Sequence, residues 1–174
     1  MIRHIPLFRS KKIEVYCTPA VEREMPRKVK TFVKACIAAE KTLINSITRK
    51  YPDSKDRKFT FIFKKGRTDD TLGSCDIEYD GDVQIDINAL QSVKSLYTTI
   101  AHELVHARQF ISGKLTYNVK IKYHVYEGVK HRFIYRRQPW EIEAYELQDK
   151  GANIMKRWLL DHVHYNPKLT TPEV

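Results

Sequence analysis

The chain of 174 residues carries 31 Lys+Arg against 21 Asp+Glu, a formal charge of +10, with 42% hydrophobic and 11% aromatic residues. That length and apolar content suit a single folded domain over 1–174 and exclude global disorder. No apolar run approaches the roughly 20 residues that cross a bilayer, so no membrane partner is expected. Cys17, Cys36 and Cys75 are odd in number and lack metal-ligand spacing. They argue against a disulfide scaffold or zinc ribbon and for a reducing, cytoplasmic setting. The first nine residues lack the apolar core and cleavage site of a secretory signal. The charge is uneven, with 18 basic and 8 acidic residues in 1–70 and 13 of each in 71–174.

In chain order, residues 12–17 alternate polar and apolar and predict a short strand. Pro19 and Pro26 are helix-start signals. Beyond them Met25, Val29, Phe32, Val33, Cys36, Ile37, Leu43, Ile44 and Ile47 recur at helical spacing, predicting a long amphipathic helix to about residue 49. Lysines occupy much of its opposite face, where solvation is the plain reading. Residues 58–63 read as a strand. Residues 75–79 and 82–87 predict a hairpin about Asp80-Gly81. A helix follows over 92–112, with Leu96, Ile100, Leu104 and Ile111 on one face and Gly113 as its stop. Residues 117–126 and 131–136 alternate around Gly128 as a second hairpin. Pro139 opens a last helix to about residue 160, with Ile142, Tyr145, Ile154, Trp158 and Leu159 as core contacts. Helices set among mainly antiparallel strands make this an α+β domain with a small antiparallel or mixed sheet.

The helix over 92–112 contains His102-Glu103-Leu104-Val105-His106, an H-E-x-x-H match. Residues four apart share a helix face, so both imidazoles can hold one Zn²⁺. Glu103 points away from that edge but within reach of a water on the ion, the general-base position of metallopeptidases. A catalytic zinc needs a third protein ligand and an open position. Glu141, near the start of the last helix, is the first choice; Glu143, His124 and His131 are the alternatives. Acidic residues in a helix's first turns also favour its dipole without any further role. His4, His162 and His164 have no neighbours at ligand spacing and are expected at the surface.

H-E-x-x-H followed by a Glu on a later helix resembles the gluzincin branch of zinc peptidases, several of which show E-x-x-A-D or E-x-x-A-N with the first Glu on zinc. Glu141-Ile142-Glu143-Ala144-Tyr145 matches except at its last position, where Tyr145 replaces the acid or amide. The resemblance implies a zincin-like fold, zinc as cofactor, His102, His106 and Glu141 as ligands, and peptide-bond hydrolysis with Glu103 as general base. A small basic α+β domain with H-E-x-x-H is also similar to SprT-like proteases, whose third ligand is a histidine, and to small phage-encoded zincins. The latter likeness implies a host cytoplasm as the setting. The metzincin extension is absent, because Arg108-Gln109-Phe110 follow His106.

Zinc would acidify its water and polarise the scissile carbonyl, while Glu103 carries the proton to the leaving amine. Tyr145, His124, His131 and Arg137 are candidate donors to the oxyanion, with Tyr145 chosen as the second catalytic residue. The strand 82–88, by resemblance, would be the edge on which a substrate backbone adds. Residues 117–137 interleave aromatic and basic side chains, including Lys120, Lys122, Lys130, Arg132, Arg136 and Arg137, a pattern that suits single-stranded nucleic acid. Tyr and Phe rings facing the core explain the same pattern structurally. A protein or peptide is therefore the expected partner. The alternative function is a non-catalytic, metal-stabilised nucleic-acid-binding module with a zincin fold.

Overall fold

Period-two alternation builds the main sheet of this computed structural model, which describes residues 4–66, 71–118, 123–131 and 138–164. Its strands are β1 (Ile5–Arg9), β2 (Ile13–Cys17), β3 (Phe59–Lys64), β4 (Gly73–Ile77) and β5 (Val83–Asn88). Ile13, Val15 and Cys17, Phe59, Phe61 and Phe63, and Val83, Ile85 and Ile87 are buried in one core with the helices. Glu14, Tyr16, Thr60, Gln84 and Asp86 alternate with them and are only half-buried.

The sheet order is β1-β2-β3-β5-β4. The outer pairs are antiparallel, but β2–β3 and β3–β5 are parallel, so the sheet is mixed rather than mainly antiparallel. Parallel neighbours need a long crossover. Residues 19–50 supply one as α1 (Pro19–Glu24), α2 (Pro26–Ala39), a π-helical turn (Glu40–Ile44) and α3 (Asn45–Lys50). Pro26 explains the break at Met25, because a residue before proline is disfavoured in the helical region. The strand β1 was not anticipated: Pro6 interrupts its alternation, and its pairing with β2 carries a bulge there.

The hairpin of β4 and β5 turns at Gly81, whose φ of +90° explains why glycine is needed. Next comes α4 (Val93–Ile111), capped by the Ser92 hydroxyl accepting from the Ser95 N–H at 3.1 Å. A second sheet is formed by β6 (Leu115–Asn118), β7 (Tyr123–Tyr126) and β8 (Val129–His131), all antiparallel neighbours. The expected single strand over 117–126 is thus two paired strands, and of 131–136 only His131 lies among the described residues. Last is α5 (Pro139–Asp161).

The two longest helices pack along each other. Gly151 of α5 allows this, since a Cβ there would stand 2.9 Å from the Ala101 Cβ of α4. The face of α5 used in this packing differs from the expected one. Trp140, Glu141, Ala144, Ala152 and Met155 are buried, while Ile142, Tyr145 and Ile154 are exposed. Only Trp158 and Leu159 of the expected contacts pack on the core. No helix among the described residues is long and apolar enough to cross a membrane.

Candidate metal centre

The amphipathic pattern of α4 buries Leu96, Ile100 and Leu104 on the core and leaves His102, Glu103 and His106 on the flank facing β4 and α5, themselves almost fully buried. One turn into α5, Glu141 is also buried and meets both histidines. The two Nε2 atoms lie 3.1 Å apart. His102 Nε2 is 3.2 Å and His106 Nε2 is 3.3 Å from the Glu141 carboxylate. These three side chains form the one group of potential metal ligands among the described residues.

The spacing tests the fit. Ligand atoms about 2.0–2.1 Å from a tetrahedral ion lie about 3.3–3.4 Å from one another. The two imidazole nitrogens stand near that spacing, and the carboxylate straddles them, Oε2 beside His102 and Oε1 beside His106. One ligand atom from each side chain lies within 4.8 Å of the others, close enough to gather on one ion. The far nitrogens are also engaged: His102 Nδ1 is 3.1 Å from Gln148 Oε1, and His106 Nδ1 is 2.9 Å from Gln109 Oε1. Metal-binding histidines are ordinarily oriented by such partners.

The electrostatics separate the two buried carboxylates. Burial pushes the Glu141 carboxyl up, but hydrogen bonds to His102 and His106 outweigh it and hold the group down at about 2. Burial raises Glu103 to about 7 against the attraction of His106 and His102. His106 is raised: burial opposes its charge, yet the Glu141 hydrogen bond and the Glu103 charge prevail. Two carboxylates of opposite tendency in one site suit a fixed ligand beside a proton carrier.

Glu103 lies beneath β4. A Cβ on Gly73 would stand 2.8 Å from Glu103 Oε1 and 2.7 Å from Thr99 Cγ2, so glycine permits this approach. Two cavities flank the carboxylate. One, of about 280 Å³, is lined by Ser95, Thr98, His102, Tyr145 and Gln148. The other, of about 300 Å³, is lined by His106, Phe110, Leu115, His124 and Trp140. Thr71, Gly73 and Glu103 line both, making one cleft along β4. Since β5 lies between β3 and β4, the edge along the cleft that is unpaired among the described residues belongs to β4, not to the strand 82–88. The sequence shows which segments are strands but not which of them has an unpaired side.

The remaining candidates fall into place around this centre. Tyr145 packs its half-exposed ring against His102, centroids 4.8 Å apart. Glu143 is not at the ligand triangle: it accepts from Gln109, Tyr126 and Lys114 and pairs with Arg108 at 2.6 Å. His124 and His131 both pack on Trp140, at 5.1 and 5.7 Å between ring centroids. Neither joins the ligand group, although His124 lines the cleft. His162 and His164 are exposed, whereas His4 is half-buried.

Of the basic hairpin, Lys130 is exposed; Lys120, Lys122, Arg132, Arg136 and Arg137 lie outside the described residues. Its rings divide, with Tyr126 buried against Trp140 and Tyr117 half-exposed. Sequence reasoning missed Gln109, Gln148 and Gly73. The two glutamines do carry a helical signal, lying three positions after His106 and seven after Glu141 on the faces those ligands use. Comparison with known proteins finds no matching family model, no matching curated protein and no matching solved structure, so the chemistry of the centre rests on its own residues.

Proposed function

We propose that the protein is a zinc-dependent peptidase that hydrolyses internal peptide bonds of an extended polypeptide. The observation that carries this reading is the convergence of His102 Nε2, His106 Nε2 and the Glu141 carboxylate at 3.1–3.3 Å beside the buried Glu103 and an open cleft. Two imidazoles and one carboxylate are a ligand set of catalytic zinc, with a fourth position left for water. When bound, the ion supplies Lewis acidity, acidifying water and polarising the scissile carbonyl.

The chain's own residues supply the rest. Glu103 accepts the proton of the attacking water and later delivers it to the leaving amine. Its raised proton affinity suits both halves of that task. The Tyr145 hydroxyl, beside His102, donates to the oxygen on which negative charge develops. The cleft-side edge of β4 takes the substrate as an added strand. Because the cleft continues on both sides of Glu103, chain fits to the left and right of the reacting bond. The rings of Phe110 and Trp140 with Leu115 favour an apolar side chain on the His106 side.

Glu103→Gln tests this reading. The variant should keep one zinc per chain yet lose about 10²–10⁴-fold in cleavage of an unstructured polypeptide, the contribution of a general base. Undiminished cleavage would remove Glu103 from the reaction.

A further inference from the structure

We propose that Glu143, acting through Gln109, is a positioning residue that fixes the tautomer of His106 and so aims its Nε2 lone pair at the metal position. The proposal builds on the reading of His106 as a ligand. It follows from which atoms can donate and which can only accept.

Gln109 is 1% exposed, and its amide nitrogen meets the Trp140 carbonyl oxygen at 3.0 Å and a Glu143 carboxylate oxygen at 2.9 Å. A backbone carbonyl and an ionised carboxylate accept only, so both amide N–H groups are committed to them. Reversing the amide would set its oxygen against two acceptors. The Gln109 oxygen therefore faces His106 Nδ1, 2.9 Å away, and that nitrogen must carry the proton. A neutral imidazole has one N–H. The charged ring hydrogen-bonds Glu141 through Nε2–H, but in the neutral ring, the form that binds metal, the proton held on Nδ1 leaves Nε2 as a lone pair directed at His102 and Glu141.

Glu143 can serve as this fixed acceptor because three donors keep it ionised. Arg108 lies at 2.6 Å, the Tyr126 hydroxyl at 2.7 Å and Lys114 at 3.1 Å. Tyr126 closes β7, and Lys114 immediately precedes β6. The small sheet is in this way tied through Glu143 and Gln109 to His106, a connection that packing alone would not provide. The partner of Nδ1 is an amide rather than a carboxylate, so it orients the ring without adding negative charge next to the ligands.

The test reads imidazole ¹⁵N–¹H correlations of His106 in metal-free protein at pH 8.5, with zinc affinity measured separately by chelator competition. The wild-type chain should show the Nδ1–H tautomer. Gln109→Leu and Glu143→Leu should give a mixture of tautomers and weaken zinc binding about 10–100-fold, the effect typical of an outer partner of a ligand. Glu143→Gln keeps a side-chain oxygen that accepts from Gln109 and should retain Nδ1–H, with zinc affinity within several-fold of wild type. Circular dichroism checks that each variant folds. If a leucine variant does not fold, Glu143→Gln decides, and the Nε2–H tautomer in it overturns the proposal. Folded leucine variants with an unchanged tautomer and unchanged zinc affinity overturn it equally. The tautomer is read without metal or substrate, so its failure is distinct from failure of the peptidase reading.

Discussion

Gly151→Val probes the contact that brings Glu141 to the histidines. A Cβ at Gly151 would stand 2.9 Å from the Ala101 Cβ and 3.3 Å from Leu43 Cδ1. Carbon pairs prefer about 3.5–4.0 Å. Leu43 can rotate its methyl away, but Ala101 is fixed on α4, so the helices must part by about 0.6–1 Å. Overpacking of this kind costs about 1–3 kcal/mol. Replacing a helical glycine by valine returns about 0.4 kcal/mol of helix propensity, too little to offset it. Net destabilisation of about 1–3 kcal/mol should lower Tm by several degrees, at about 2–4 °C per kcal/mol for a chain of this size. Glu141 lies ten residues from Gly151, about 15 Å along the same helix. A few tenths of an ångström transmitted that far exceeds the roughly 0.2 Å that a metal site tolerates. Thermal unfolding of metal-free protein and a zinc competition titration measure the two effects. An unchanged or higher Tm with unchanged zinc affinity would refute the close helix contact and its role in placing Glu141.

Gly73→Ala places a methyl 2.8 Å from Glu103 Oε1 and should displace that carboxylate. Turnover is then expected to fall about 10²-fold, the cost of a misplacement near 1 Å, with zinc content unchanged by metal analysis. Glu141→Gln keeps the volume of the third ligand but removes its charge. Zinc affinity should drop further than the about 10–100-fold of outer-partner changes, as a competition titration will show. Acid stability tests Glu143. Burial raises its carboxyl, but hydrogen bonds from Gln109, Tyr126 and Lys114 override this and hold it at about 2 against an ordinary 4.5. A lowered folded-state value stabilises the fold above pH about 4.5 and is lost as pH falls toward 2, at most about 3 kcal/mol. Urea midpoints at pH 7 and pH 3 should therefore differ less in Glu143→Gln than in the wild-type chain. An equal difference would contradict this.

Local features were readable in advance. The Asp80-Gly81 turn, the α4 stop at Gly113 and the start of α5 at Pro139 are set by the backbone preferences of those residues. The spacing of His102 and His106 fixes a shared helix face, and the choice of Glu141 named the carboxylate that the structure brings to that face. What was not readable depends on contacts between distant segments. Parallel pairing of β3 with β2 and β5 has no sequence signature distinct from antiparallel pairing when strands are this short. Which side of α5 is buried was misjudged because Ile142, Tyr145 and Ile154 are apolar. Small residues at Ala144, Gly151 and Ala152 let that face approach its neighbours instead. Gln109 reads as an ordinary helix residue until Glu143 and Trp140, more than thirty positions later, fold back onto it.

Protein stripped with a chelator and titrated with zinc, with cleavage of an unstructured polypeptide followed by mass spectrometry at each addition, joins the metal to the reaction in one measurement. Activity should return in proportion to zinc and saturate at one ion per chain, with products cut at internal bonds. A chain that binds one zinc through His102, His106 and Glu141 and leaves the polypeptide intact would contradict the peptidase reading.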